Sequence, residues 1–340
     1  MLVPVAFKKY DPAMDELVLA GDLGGTKINV ALCQPGPVAF SILREKSFHS
    51  RDYTSITEVI KEFAGDKMPG RICFAVAGPV IDGRVQLTNL PWQMDSAVLS
   101  RELGSTLVFI NDLEANAYGL AALQKEDLFE VNAGNKERGG NMAILAPGTG
   151  LGEAGLYWDG HSYFPFATEG GHSALASLTP FDFELYNWLA AQHKYVCYEH
   201  VLSGPGIHAI FRFLTDVKKR TVPAWLQEEM KTEDPSAAIS ENAINRKSAI
   251  CMEVMDIFFR YLATEASNLV LKYKATGGLF ISGGIPPKNR ALLDIEKWGE
   301  RFFESDRMED LLRQTPVQLI LNEKTPLLGA AYYAAYSIIG

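Results

Sequence analysis

The sequence predicts an α/β fold of two lobes. The chain has 340 residues, which is more than one hydrophobic core comfortably serves. Continuous apolar runs typical of buried strands alternate with patterns of helical spacing. A unit of strand, glycine-threonine turn and strand occurs twice, which indicates an internal duplication with one copy in each lobe.

The first copy of this unit spans residues 18–32. An apolar run reaches Asp22, and Gly24, Gly25 and Thr26 separate it from a second apolar run. Because glycine lacks a Cβ atom, the turn can adopt positive φ and admit another group close to its backbone. Exposed N–H groups in such a turn bind anions, so we predict a phosphate site with Asp22 facing a metal ion. The alternative is a plain β-hairpin.

The rest of the first lobe alternates strands and helices. Residues 1–16 have the mixed composition of a loosely attached extension. The patterns then predict a strand near 40–43, a helix over 53–64, a buried strand over 71–77, a short strand within 83–93, a helix over 96–103 and a buried strand over 107–110.

The strand over 107–110 runs into Asn111 and Asp112, where a helical pattern begins. Ligands of open α/β sheets bind at the carboxyl ends of strands, which makes both residues candidates for a site. The alternative for Asp112 is the N-cap of the following helix.

The second copy begins with a strand over 141–146 and turns at Gly148, Thr149 and Gly150. Two such turns that face each other could grip a polyphosphate. The stretch from Gly150 to Gly155 also matches the G-x-G-x-x-G fingerprint of dinucleotide-binding proteins. That fingerprint needs a helix directly after it, whereas strand and turn residues follow here, so we reject a dehydrogenase.

Three further features of the second lobe are candidates for a site. Glu169 and His172 flank two glycines in a loop, and Glu199 precedes a helix start at 203–206. Gly283 and Gly284 close a strand over 277–285, and their backbone could floor an adenine pocket or form a simple strand-to-helix turn. The remaining patterns predict helices over 181–191, 207–214 and 237–274, an exposed polar loop with a short helical piece over 216–236, a strand over 317–321 and a helix over 327–339.

The composition narrows the class of protein. A net charge of −9 and a pI of about 5.3 argue against nucleic acid as a partner. The four cysteines, Cys33, Cys73, Cys197 and Cys251, form no C-x-x-C pair and are expected to be buried in a reducing compartment. The longest apolar run, 326–340, is too short to cross a bilayer, and the N-terminus lacks a signal-peptide pattern. We therefore expect a cytoplasmic protein without a membrane partner.

Several short motifs occur in one order from about Leu17 to the C-terminus: GDLGGT, TNLPW, IND, GTGLG, EGGH, EHVLSGPG and SGGI. This order resembles the bacterial glucokinase family, within the hexokinase, actin and heat-shock ATPase superfamily. The resemblance implies an α/β, duplicated ribonuclease-H-like fold of the actin-like ATPase type, with two lobes and a central cleft. The small lobe would comprise residues 1–113 plus about 324–340, and the large lobe residues 114–323.

The resemblance also implies the activity, which is ATP-dependent phosphorylation of glucose at its 6-hydroxyl by a homodimer that uses Mg²⁺. Asp112 would be the general base. The sugar would be bound by Asn89, Asn111, Asp112, Glu169, His172 and Glu199, and ATP by Asp22 (through water on Mg²⁺), Gly24, Gly25, Thr26, Gly148, Thr149, Gly150, Gly283 and Gly284. Lys27 departs from the asparagine common in the family. The alternatives are a sugar kinase of other hexose or donor preference, or a non-catalytic sugar-binding sensor.

Overall fold

The computed structural model describes residues 3–7, 16–36, 40–86, 90 and 92–337. The strands are β1 Val18–Leu23, β2 Lys27–Pro35, β3 Phe40–His49, β4 Arg71–Val76, β5 Val80–Ile81, β6 Arg84–Gln86, β7 Gln93–Asp95, β8 Thr106–Asn111, β9 Leu128–Asn132, β10 Met142–Pro147, β11 Leu151–Trp158, β12 Tyr163–Thr168, β13 Gly278–Ile281 and β14 Val317–Ile320. The α-helices are α1 Ile56–Ala64, α2 Ser96–Leu103, α3 Asp112–Gly119, α4 Pro180–Ala190, α5 Gly204–Asp216, α6 Ala224–Thr232, α7 Pro235–Ile244, α8 Ala249–Tyr273, α9 Ile285–Lys288, α10 Ile295–Phe302, α11 Glu309–Arg313 and α12 Thr325–Tyr336.

The contacts within the chain define two compact units. The first lies within residues 1–128, 156–167 and 322–340, and the second within 129–155 and 168–321. The lobe boundaries expected near residues 113 and 323 remain a prediction.

The sheet of the first unit has the strand order β3-β2-β1-β4-β8. β1 pairs antiparallel with β2 and parallel with β4, which in turn pairs parallel with β8. The register aligns Leu23, Val76 and Asn111, so the parallel strands end at the same level of one sheet edge. This edge carries the first glycine turn and the start of α3.

In the first unit, the positions that the apolar patterns predict to be buried are buried in the structure. The residues of β4 from Ile72 to Val76 are fully buried, as expected of a strand that is covered on both faces. In α1 the apolar residues at helical spacing, Ile56, Val59, Ile60 and Phe63, form the buried face. Ser55 caps that helix by accepting a hydrogen bond from the Glu58 N–H.

The second sheet repeats the plan of the first. Its order is β12-β11-β10-β13-β14-β9, and β10, β13 and β14 run parallel. The first five strands match β3-β2-β1-β4-β8 one for one, which confirms the predicted duplication, and β9 is an addition at the edge. The long helix α8 has 25 residues, most of them buried in the core of this unit.

The expectation of a loosely attached N-terminal extension is wrong for residues 3–7. The Ala6 N–H donates to the Tyr163 carbonyl and the Tyr163 N–H donates to the Pro4 carbonyl, both at 2.8 Å. The Phe7 ring stacks on Tyr118 with 5.3 Å between ring centroids. Backbone pairing along a sheet edge requires no hydrophobic periodicity, so the composition gave no sign of it.

The four cysteines are free thiols, and all four are buried, as predicted. A search of the described residues finds no helix with the length and apolar character needed to cross a membrane.

Candidate functional site

The first glycine turn joins β1 to β2 and is held by the buried Ser50. The Gly24 N–H donates to the Lys27 carbonyl at 2.9 Å, while Ser50 binds the Gly25 carbonyl through its hydroxyl at 3.0 Å and the Thr26 carbonyl through its N–H at 3.1 Å. Neither Gly24 nor Gly25 has a left-handed φ, so the expectation of positive φ in this turn is wrong. Close approach to the backbone, the other predicted reason for a glycine, does apply at Gly24, where a Cβ atom would lie 3.2 Å from the Lys27 oxygen.

Asp22 lies beside this turn on β1 and faces Asn29 across the hairpin. Burial raises the pKa of Asp22, and the hydrogen bond with the Asn29 side chain opposes that rise. A nearby cation would favour the charged carboxylate. Among the described residues no three His, Cys, Asp or Glu side chains could share a metal ion. A single carboxylate fits Mg²⁺, which keeps several waters and takes further ligands from substrate phosphates.

Asn111, and not Asp112, is the N-cap of α3. Its Oδ1 accepts from the N–H groups of Leu113 at 2.9 Å and Glu114 at 3.3 Å, and its Nδ2 donates to the Gly78 carbonyl at 3.1 Å. Asp112 is the first helical residue and half-buried, and its Oδ1 also accepts from the Leu113 N–H, at 3.0 Å. The positive end of the helix dipole favours a charged carboxylate there.

The fold therefore brings two of the predicted features to one edge of the first sheet. The turn at Gly24–Thr26 follows β1, and Asp112 follows β8, two strands away in the aligned register. Neighbouring strands lie about 4.8 Å apart, which separates the two features by roughly 10 Å. Asn89 lies outside the described residues.

The third glycine turn packs against the end of β10, directly before the second glycine turn, within the second unit. Gly148–Gly150 follows β10, and Gly283 and Gly284 follow the neighbouring strand β13. The N–H of the first glycine donates to the carbonyl of the last at 2.8 Å, and Thr149 between them is exposed. Gly283 has a φ of +81°, and a Cβ atom on it would overlap the Pro147 carbonyl group. This position requires glycine.

Glu199 lies directly against the second glycine turn. Its Oε2 accepts from the Leu151 N–H at 2.9 Å, and a Cβ atom on Gly150 would lie 2.6 Å from the same oxygen. The Gly148 carbonyl accepts from the Gly204 N–H at the start of α5, at 2.9 Å. A residue predicted to bind sugar thus contacts the turn predicted to bind phosphate.

The segment 169–172, here called the Glu169 loop, lies next to the 3₁₀ turn Tyr198–His200, here called the Glu199 turn. Glu169 and His172 lie at either end of a short 3₁₀ turn, where both side chains are exposed. The Tyr198 N–H donates to the Ser173 carbonyl at 3.1 Å, which ties the segment after His172 to the segment that carries Glu199. The second unit therefore gathers the three predicted sugar residues Glu169, His172 and Glu199.

Three buried acids escaped the sequence analysis, and one of them, Asp182 on α4, is paired with Arg260 at 2.9 Å. Glu153 on β11 is 1% exposed and Glu265 on α8 is 0% exposed. An acid within the otherwise apolar stretch that follows Gly150 was the available signal for Glu153.

The family model described as glucokinase matches residues 19–337. The chain belongs to the glucokinase family. The glucokinase of Nostoc punctiforme is 36% identical over 337 residues, which cover 94% of this chain and 99% of that protein.

Solved structures agree with this assignment to the glucokinase family. The crystal structure of a glucokinase from an Antarctic psychrotroph is 32% identical with a TM-score of 0.81, over 94% of this chain and 98% of that one. A ROK family glucokinase from Streptomyces griseus, in complex with glucose and AMPPNP, is 19% identical with a TM-score of 0.61, over 94% and 99% of the two chains. The latter similarity concerns the fold alone. The predicted duplicated α/β fold of the actin-like ATPase type is confirmed.

Proposed function

We propose that this chain transfers the γ-phosphoryl group of ATP to the 6-hydroxyl of glucose, giving glucose 6-phosphate and ADP. The observation that carries this function is the glucokinase family match over residues 19–337. The similarity to the Nostoc punctiforme glucokinase over 94% of this chain supports it. The product would enter glycolysis.

Phosphoryl transfer requires positioning and neutralisation of charge more than covalent help from the protein. The glycine turns at Gly24–Thr26 and Gly148–Gly150 would donate backbone N–H groups to the phosphates. Gly283 and Gly284 would lie beside the adenosine. Mg²⁺, when bound, would neutralise phosphate charge, and Asp22 would orient it through a water ligand.

Asp112 would accept the proton of the 6-hydroxyl as that oxygen attacks the phosphoryl group. The positive end of the helix dipole favours the charged carboxylate, which is the form that can accept a proton. Its hydrogen bond to the Leu113 N–H, at 3.0 Å, restrains the carboxylate.

The other hydroxyl groups of the sugar call for acceptors and donors at fixed positions. Glu169, His172 and Glu199, which the second unit gathers, would supply them. Asn111 and Asn89 are proposed as further ligands. The amide of Asn111 already serves as a helix cap, so it would contact the sugar from a fixed position.

A coupled assay of ADP release tests this function. Glucose, mannose and glucosamine are each supplied with MgATP, and ADP or polyphosphate then replaces ATP with the best sugar. We expect saturable, glucose-dependent ADP release well above the ATPase background. Saturable glucose binding without turnover would favour the sensor, and a higher kcat/KM with another hexose or donor would favour a different sugar kinase. A homodimer and a cytoplasmic location remain predictions.

A further inference from the structure

Two buried carboxyl groups contact the segments that carry the proposed sugar residues. They belong to Glu153 on β11 and Glu265 on α8, and they interact with each other through charge and a side-chain hydrogen bond. Burial of a charged carboxylate is costly unless the group is neutral or well paired, so two such groups together require an explanation.

Glu153 contacts the residues on either side of Glu169. The Thr168 hydroxyl donates to the Glu153 carbonyl at 3.0 Å and accepts from the Gly170 N–H at 3.2 Å. The Glu153 side chain packs so tightly on Gly170 that a Cβ atom there would overlap its Oε2. The residues on both sides of Glu169 therefore contact Glu153, Thr168 at its backbone carbonyl and Gly170 at its carboxyl group.

Glu265 supports the Glu199 turn through its neighbour on α8. Asn268 Nδ2 donates to Glu265 Oε2 at 2.8 Å and to the hydroxyl oxygen of Tyr198 at 2.9 Å. Tyr198 is 1% exposed and directly precedes Glu199. Lys272 Nζ lies 3.3 Å from Glu265 Oε1. One connected set of polar groups thus reaches both turns.

The hydrogen-bond donors around the pair indicate which acid carries a proton. Glu265 faces the donors of Asn268 and Lys272, whereas Oε1 of Glu153 is buried with no hydrogen-bond partner in the described part of the chain. Burial, and then repulsion from Glu265, raise the pKa of Glu153 to about 8. A protonated Glu153 can donate to the Glu265 carboxylate, and one positive charge on Lys272 then balances one negative charge.

We propose that Glu153 and Glu265 are positioning residues for the sugar, sharing one proton and thereby fixing the two turns that carry Glu169, His172 and Glu199. The inference rests on the proposed function for the identity of the ligand. Loss of the shared proton would place two negative charges beside Lys272 and push the two turns apart.

The two tyrosines near the pair do not titrate in the same range. The titratable groups that face it are Lys272 and Tyr273 on α8, and Tyr198 from the Glu199 turn. Burial raises the pKa of both tyrosines above the ordinary value of 10.0, so they stay neutral from pH 7 to 9.

Calorimetric titration with glucose between pH 7 and 9 tests the inference. If glucose binds only while the pair holds its shared proton, the wild-type Kd for glucose should increase by roughly tenfold between pH 7 and pH 9. Glu153→Gln keeps a neutral side chain that can donate to Glu265. This variant should bind glucose as the wild type does at pH 7 and show no increase by pH 9. Glu241→Gln, an exposed acid of α7, should keep the wild-type profile.

Thermal unfolding gives a readout that needs no ligand. The folded-state pKa of Glu153 exceeds its ordinary value of 4.5, so the folded state binds the extra proton and loses stability as pH rises towards 8. The Tm of Glu153→Gln should fall less than that of the wild type between pH 5 and 8. A flat wild-type Kd profile, or an unchanged rise in Glu153→Gln, would overturn the inference. Absence of glucose binding at pH 7 would instead overturn the proposed function.

Discussion

The first two glycine turns share a backbone plan but differ in what holds them. Gly24–Thr26 is fixed by Ser50, whose hydroxyl and N–H bind two carbonyl groups. Gly148–Gly150 is fixed by the carboxylate of Glu199, a proposed sugar ligand, and by the start of α5. The duplication has thus preserved strand order while the supporting side chains diverged. We infer that the second turn links nucleotide binding to sugar binding and that the first serves the nucleotide alone.

The largest expected effect concerns Asp112, which directly follows β8 and has no acidic counterpart directly after the equivalent strand of the second sheet. β8 is followed by Asp112, whereas its counterpart β14 is followed by Leu321 and Asn322. Asp112→Asn keeps the size of the side chain and its hydrogen-bond acceptor but removes the base. We expect kcat to fall by roughly 10²–10⁴-fold, the usual cost of losing a general base, with only a small decrease in Tm from the lost charge at the helix N-terminus. Asp66→Asn, an exposed acid of the same unit, should retain wild-type turnover. Near-normal kcat in Asp112→Asn would remove Asp112 from the mechanism.

The second largest expected effect distinguishes Gly283 from Gly284, the two adjacent glycines of the turn after β13. Gly283→Ala forces a left-handed φ on alanine, which costs about 1–2 kcal/mol, and adds an overlap with the Pro147 carbonyl. We expect urea denaturation to show at least that loss and steady-state kinetics to show a raised KM for ATP. Gly284 has open space around its Cβ position and a φ of −83°, so Gly284→Ala is the matched control. Equal behaviour of the two variants would contradict the tight contact between Gly283 and the Pro147 carbonyl.

A third pair of variants tests the comparison of the two turns directly. An alanine Cβ at Gly150 would lie 2.6 Å from Glu199 Oε2, whereas one at Gly24 would lie 3.2 Å from the Lys27 oxygen. Gly150→Ala should displace Glu199 and raise the KM values for glucose and ATP, each by roughly tenfold, or about 1.4 kcal/mol. Gly24→Ala should raise the KM for ATP alone. Equal changes of the glucose KM in both variants would show that the turns are not specialised.

Local patterns were sufficient to predict most elements of the fold. Continuous apolar runs predicted β4 and β8, and α2 was placed at its observed bounds, Ser96–Leu103. Both glycine hairpins and the strand before Gly283 were also identified, because turn chemistry is local. The short sheet β5-β6-β7 was anticipated only in part, since strands of two or three residues carry little periodicity.

Features that depend on distant neighbours could not be predicted. The pairing of Pro4 and Ala6 with Tyr163 uses backbone groups only. The proximity of Glu153 and Glu265 joins a strand to a helix more than a hundred positions away in the chain. The choice of Asn111 over Asp112 as the helix cap depends on where β8 ends. The site roles of the predicted residues rest on family resemblance and remain proposals.

The smallest expected effect concerns the support of the first turn. Ser50→Ala removes the hydroxyl that donates to the Gly25 carbonyl at 3.0 Å but leaves the N–H that binds the Thr26 carbonyl at 3.1 Å. One lost hydrogen bond is worth about 1 kcal/mol, so the KM for ATP should rise by about two- to fivefold. Ser41→Ala, an exposed position on β3, controls for the loss of a hydroxyl. The KM for glucose should not change in either variant, because the first turn has no Glu199 to transmit the disturbance. A rise of the glucose KM in Ser50→Ala would place sugar binding under the control of both turns.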